Sequence, residues 1–251
     1  VSVGTRKFFA RLAWSLDSVG RYPRFCWRLI GRPARVRLHG VWLEVPAEAS
    51  AAHRREVYAE RYERGEARCV LLGLEPDDVV MEIGAGVGLV STLCARLVGS
   101  SRVTCYEANP ELLPRIRGTF AANGVAPALV NAVLAREAGE AELFVEREFV
   151  ASSLRVRSAA ARAVRVPQLA VNEELRKVRP SCLVIDIEGG ESELLPAIDW
   201  AGVRKLVIEM HPHVIGAERV GELIALLAAQ GFRGDGSLSS TRKKFFARTT
   251  A

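Results

Sequence analysis

The stretch Glu82-Ile83-Gly84-Ala85-Gly86-Val87-Gly88 restricts the fold more than any other part of the chain. It follows the apolar residues Val79, Val80 and Met81 and precedes an amphipathic run from Leu89 to Leu97. A buried strand that enters a helix through a glycine-rich turn leaves backbone open to a ligand where side chains would collide. The spacing narrows the ligand. A dinucleotide fingerprint needs its third glycine at position 89, which is Leu89, and no Gly-Lys-Ser/Thr follows to make a Walker phosphate loop.

The strand-then-helix rhythm repeats. Residues 102–107 read as a second strand, 111–122 as a helix and 128–133 as a third strand; 183–187 and 205–210 are two more, followed by helical patterns over 192–198 and 217–230. Short apolar strands alternating with amphipathic helices predict an α/β fold whose mostly parallel sheet is covered on both faces. Residues 232–233 and 244–249 complete seven strands as an antiparallel edge pair. Residues 134–166 break the rhythm, with an extra strand at 142–146 and an irregular insertion at 151–163. Upstream, alternation over 35–45 predicts a hairpin turning at His39-Gly40, and 51–72 reads as helical. The expected division is an N-terminal extension over 1–50 and the α/β domain over 51–251.

The net charge of +6 is unevenly spread: residues 1–37 hold nine basic side chains against Asp17, so the rest sums to about −2. The body is therefore not a basic nucleic-acid-binding surface. Residues 1–30 mix arginines with Phe8, Phe9, Leu12, Trp14, Phe25, Trp27 and Leu29, interrupted at Pro23 and ended by Gly31 and Pro33. One reading is a basic amphipathic segment lying on an anionic membrane surface. The other, more usual for such stripes, is a helix packed on the domain. Thr5-Arg6-Lys7-Phe8-Phe9-Ala10-Arg11 recurs almost intact over 241–248, which does not make a repeat architecture. Five scattered cysteines without a Cys-x-x-Cys pair exclude a cysteine-built zinc site. They fit a reducing compartment, and no run approaches the ~20 apolar residues of a membrane span. The expected location is cytoplasmic, with or without peripheral membrane contact.

Glu107 ends the second strand about 20 residues beyond the glycines, where a carboxylate accepts both hydroxyls of a ribose. Asn131 ends the third, its amide suited to an adenine edge or simply to a turn. Asp186 and Glu188 follow one late strand, and Glu209, His211 and His213 the other, where ligands bind in open α/β sheets. In an extended strand 209, 211 and 213 point one way, unless Pro212 breaks the alignment. His211 is the preferred general base, with Asp186 and Glu209 beside it; the alternative is a histidine that merely satisfies a strand end. Asp186, Glu209 and His211 are also an O/O/N set for a divalent cation. Ser152 and Ser153 border the insertion, as lining of an acceptor pocket or as turn formers.

These residues resemble a known family. Glu82-x-Gly-x-Gly-x-Gly and Tyr106-Glu107-Ala108-Asn109-Pro110 resemble the first two motifs of class I S-adenosylmethionine-dependent methyltransferases. Asn131-Ala132-Val133-Leu134, the run 137–143, Ser152-Ser153-Leu154, Ile185-Asp186-Ile187-Glu188-Gly189-Gly190-Glu191 and Val207-Ile208-Glu209-Met210-His211 resemble its FkbM branch, over residues 55–232. The chain departs from that pattern at Glu82, where Asp is commoner, and at Gly190, where Ala is usual. The resemblance implies a Rossmann-like fold and S-adenosylmethionine held by Glu82, Gly84, Ala85, Gly86, Gly88, Glu107, Ala108, Asn131, Ala132 and Asp186, the last also a receiver for the methionine ammonium. It implies methyl transfer to a hydroxyl of a sugar, polyketide or similar small molecule, with no specific nucleic acid. Two other classes compete. A nucleic-acid methyltransferase is disfavoured by the near-neutral body and the missing Asn/Asp-Pro-Pro-Tyr/Phe tetrapeptide, and a membrane-associated scaffold that keeps the fold has no need of so many polar strand ends.

Overall fold

The structure, a computed structural model, describes residues 20–145, 162–240 and 242–248. The recurrence at 5–11, Ser152 and Ser153 fall outside the described residues. Helix α1 (Arg21–Gly31) leads into the hairpin β1 (Arg35–Leu38) and β2 (Val41–Glu44), then α2 (Ala51–Tyr58) and α3 (Arg64–Gly73). The glycine turn joins β3 (Val80–Ile83) to α4 (Leu89–Val98). β4 (Val103–Glu107), α5 (Leu113–Ala122) and β5 (Ala128–Asn131) follow. Next come β6 (Val133–Ala135), β7 (Gly139–Val145), β8 (Arg162–Ala170), α6 (Val171–Val178) and β9 (Cys182–Ile185). The chain continues through α7 (Glu191–Leu194), β10 (Lys205–Glu209), α8 (Pro212–Ile215), α9 (Ala217–Ala229), β11 (Phe232–Gly234) and β12 (Lys243–Arg248).

Seven strands form one sheet in the order β11-β12-β10-β9-β3-β4-β5, with β12 alone antiparallel to its neighbours. The chain runs outward from β3 to β5 and then returns to β9 on the other side of β3. That reversal makes β3/β9 the switch point, outside whose carboxyl end a ligand crevice opens. Strand alternation divides the core between two faces. Val80, Val103, Val184 and Val207 pack with the hairpin, α3 and α4, while Met81, Leu183, Ile185, Leu206 and Ile208 pack with α6, α7 and α9. Among the described residues no helix is long and apolar enough to cross a membrane.

The structure departs from the sequence expectation in four places. The third strand ends at Asn131, because residues 133–135 leave the main sheet and pair with β8 in a separate three-stranded sheet, β6-β8-β7. Residues 162–163, expected to be irregular, belong to β8. Pro23, read as an interruption, lies in the first turn of α1, where a missing N–H costs nothing. The helix expected over 51–72 is two, separated by a turn in which Glu60 and Glu63 take left-handed backbone (φ 57° and 47°).

That turn is anchored by charge. Glu60, buried to 3% exposure, accepts from Arg24 Nε and Nη2 (both 2.8 Å) and from Arg28 Nη1 (2.7 Å). Burial works to raise the Glu60 carboxyl, but the two guanidiniums outweigh it and hold it below the usual range. Its stabilising effect is therefore present above the unfolded-state pKa and lost as pH falls through the lower folded one. Glu60→Ala leaves Arg28 buried and without its carboxylate, and should cost about 3 kcal/mol in urea denaturation near neutral pH. A loss under about 1 kcal/mol would mean the turn is held by packing instead.

Candidate active site

The parallel register brings the strand ends level. Ile83 is paired with Tyr106 on one side and Ile185 on the other, and Ile185 with Ile208. Gly84, Glu107, Asp186 and Glu209 therefore emerge at the same edge of the sheet. Gly84 has φ +91°, and a Cβ there would lie 1.8 Å from the Asp186 carbonyl oxygen. Only glycine permits both the backbone and the contact. Its N–H and that of Ala85 donate to Tyr106 O at 2.9 and 3.1 Å, turning the chain over the end of β4.

A cavity of about 1190 Å³ opens above this edge. Gly84, Gly86, Glu107, Ala108, Ala132, Asp186, Glu209 and His211 line it. Glu107 accepts from Gly86 N (2.9 Å) and Asn109 N (2.8 Å), and burial raises its carboxyl to about 7 against those backbone bonds. Other residues expected on the cofactor do not line the cavity. Glu82 shares its face of β3 with Val80, so it points at α4, where its carboxylate accepts from the Ser91 hydroxyl. Burial lifts Glu82 to about 8. Ala85 packs against α5, as Gly88 does against Ile116 and Phe120. The Asn131 amide donates to Glu107 O (2.8 Å) and Ala108 O (3.0 Å), so it braces the turn after β4.

At the other end of the cavity, His211 is 2% exposed and its Nδ1–H donates to Glu191 Oε1 at 2.5 Å. Its Nε2 faces Asp186 Oδ1 and Glu188 Oε2, both 3.6 Å away, and Glu209 Oε1 at 3.9 Å. Burial works to lower the imidazole, but the Glu191 bond and the Asp186 and Glu188 charges raise it above its ordinary value. Asp186 Oδ1 has no hydrogen-bond partner, and burial, then the charges of Glu209 and Glu66, push its carboxyl well up. The expected alignment of 209, 211 and 213 ends at Pro212, which starts α8; the His213 ring still meets His211 edge-on at 5.7 Å. Asp186, Glu209 and His211 each offer a ligand atom within 4.8 Å of the others.

Three contributors were not anticipated from sequence. Lys243 stands opposite Glu209 in the antiparallel β10–β12 register, and its ammonium donates to Glu209 Oε2 (2.6 Å) and to buried Glu66. Arg242 adds a second cation 3.0 Å from Glu209. Burial would raise Glu209, yet Lys243 holds it low; Glu66, the more deeply buried partner, keeps the weaker share and rises to about 7. The third contributor is the turn after α2. A Cβ on Gly86 would lie 3.2 Å from Glu63 Oε1 and 3.4 Å from the Tyr62 hydroxyl, so both side chains roof the glycine turn. Glu63 Oε2 is buried without a hydrogen-bond partner, and burial raises Glu63 to about 8 against its interaction with the Tyr62 hydroxyl. Nothing marks this break in the sequence, because no glycine or proline occurs between Ala51 and Arg64.

A glycine cradle, a carboxylate at the end of the second strand and orphaned acceptors beside it suit a nucleoside whose other end is positively charged. Residues 78–233 match the Methyltransferase FkbM domain, which is more than half of the chain. The chain belongs to the FkbM methyltransferase family. Its cofactor is S-adenosylmethionine.

Among curated proteins none matches the sequence. Solved structures resemble this FkbM methyltransferase distantly. The ribosomal protein L11 methylase of Lactobacillus delbrueckii subsp. bulgaricus is 13% identical with TM-score 0.46, covering 76% of this chain and 80% of its own. Precorrin-6y C5,15-methyltransferase of Geobacter metallireducens GS-15 is 18% identical with TM-score 0.42, covering 75% and 85%. A putative O-methyltransferase of Klebsiella pneumoniae is 12% identical with TM-score 0.43, covering 85% of each chain. These likenesses carry no functional weight, and the fold rests on the strand order described above.

Gly84→Ala tests the cradle. The added methyl must part β3 from the Asp186 backbone, so titration calorimetry should show binding of S-adenosylhomocysteine lost while circular dichroism keeps the helical signal. Unchanged affinity would show that the β3–β9 contact does not shape the cofactor site.

Proposed function

We propose that this FkbM methyltransferase methylates a hydroxyl oxygen of a small molecule, with His211 as the base. The observation that carries this reading is the His211 ring itself, its Nδ1 fixed by Glu191 at 2.5 Å and its Nε2 turned to the cavity without a hydrogen-bond partner at normal distance. An aliphatic hydroxyl is a poor nucleophile until its proton is taken, and a positioned imidazole does that near neutral pH. Bound S-adenosylmethionine supplies a methyl group on a positively charged sulfur. Gly84 and Gly86 let the cofactor approach the backbone, and Glu107 suits its ribose hydroxyls. Glu63 and Asp186 beside the turn suit its positive charges. Those charges offset the ring of carboxylates around His211 and so favour the neutral imidazole that can accept a proton. A cavity closed by Tyr62 and Glu63 holds the two reactants in line, where much of the rate enhancement in such a displacement arises.

The Asp186–Glu209–His211 trio also has the donor chemistry of a divalent-cation site. Lys243 and Arg242 already neutralise Glu209, which favours the base over the metal reading. Turnover should be unchanged after EDTA treatment and after added Mg²⁺ or Mn²⁺, and a chelator-sensitive rate would reverse this assignment.

Labelled S-adenosylmethionine offered with a panel of glycosides and polyketide alcohols should show methyl transfer to oxygen. His211→Ala should then lower kcat by about 10²–10⁴-fold and leave S-adenosylhomocysteine affinity unchanged. The pH profile adds a check on mechanism. The base must be neutral, so activity rises through the His211 ionisation, above the ordinary histidine value of about 6.5. Asp186, Glu188, Glu209 and His213 also face this ring, and Glu191→Gln leaves them in place. That variant removes one raising charge and should move the limb to lower pH; a limb that does not move rules out the His211–Glu191 pair.

A further inference from the structure

Helix α1 is docked with its polar edge inward. Phe25 packs on the core, and Arg24 and Arg28 turn toward the body, where Glu60 holds them. The opposite edge carries Tyr22, Trp27, Leu29 and Ile30, which are 74, 66, 45 and 86% exposed. A surface helix ordinarily buries its apolar stripe, because that burial is what fixes it to the domain. Residues 21–31 instead leave theirs outward. The buried Arg28–Glu60 pair sets the helix the other way up, and buried ion pairs often specify an orientation better than they stabilise it.

What covers the outward face is indicated by its chemistry. Tyr and Trp side chains favour the boundary between water and hydrocarbon, and Leu29 and Ile30 between them favour hydrocarbon itself. Arg32, Arg35 and Arg37 follow directly and are exposed. No Asp or Glu occurs between residues 18 and 43, and Glu44, opposite Arg35 in the hairpin, is the one acid against six arginines over residues 18–44. An apolar, aromatic face beside an excess of arginines is complementary to a surface that is anionic outside and hydrocarbon beneath. We propose that α1 docks this methyltransferase on the surface of an anionic lipid bilayer. The helix lies in the headgroup plane with Trp27 and Ile30 inserted, and Arg32, Arg35 and Arg37 reach lipid phosphates. Eleven residues make a helix of roughly 16 Å, which lies on a bilayer and does not cross it.

The test is co-sedimentation of the full chain with vesicles of phosphatidylcholine alone and with about one-third phosphatidylglycerol. The wild type should pellet with the anionic vesicles and not with the neutral ones, and should release in high salt. Trp27→Ser/Ile30→Ser changes only exposed side chains and keeps residues 1–19 intact. It should weaken vesicle binding at least about tenfold while S-adenosylhomocysteine affinity, the control for folding, stays the same. Three results would overturn the proposal: no binding of the wild type, binding of the double variant equal to wild type, or a dimer lost in the double variant without vesicle binding. The second would place the contact elsewhere in the chain, and the third would make a second copy the occupant of this face.

Discussion

The site depends on a methyl group that is not there. β3 and β9 lie side by side at the switch point, and the chain must leave both strands through the same narrow space. With a Cβ at Gly84 the Asp186 carbonyl would have to move, and with it the turn that leads to Glu188 and Glu191. Because the register carries this alignment across β10, the contact also sets the height of Glu209 and, two residues on, His211. One close backbone approach thus connects the glycine turn to the His211 end of the cavity.

Charge is the second organising constraint. Glu63, Glu66, Glu107, Asp186, Glu188, Glu191 and Glu209 crowd one end of a near-neutral domain, and burial raises Glu63, Glu66 and Glu107 into the range of about 7 to 8. Like carboxylates at such spacing do not all ionise unless cations accompany them. The protein supplies Lys243, Arg242 and the His211 ring, and in the proposed function the cationic cofactor supplies the remainder. Strongly shifted groups gathered in one cleft mark a working site more than a structural one.

Much of this architecture was legible beforehand because it is written in local pattern. Apolar strands of four or five residues, the glycine turn, and Glu107 and Asp186 at strand ends depend on nearest neighbours. What was not legible depends on side-chain direction or on distant pairing. Alternation along β3 puts Glu82 on the Val80 face, toward α4, although its position in the motif had placed it on the cofactor. Residues 133–135 pair with β8, and 162–170 with β6 and β7, so where these strands lie depends on distant partners. Lys243 passed as part of a recurrence of residues 5–11, since only the antiparallel register of β12 sets it against Glu209. Periodicity in α1 reveals two faces without saying which turns inward; Glu60, 32 residues from Arg28, decides that.

The position of Lys243 in the chain has a consequence for synthesis. Its partners Glu66 and Glu209 precede it by 177 and 34 residues, so they leave the ribosome first. A nascent chain that has made β3 to β10 holds the glycine turn and the acids but lacks the ammonium that lets Glu66 and Glu209 lie together. The pocket matures electrically only when β12 slides between β10 and β11, its neighbours in the sheet. Charge balance in this pocket thereby reports that β12 has arrived, and a chain that stops short of it lacks the ammonium shared by Glu66 and Glu209.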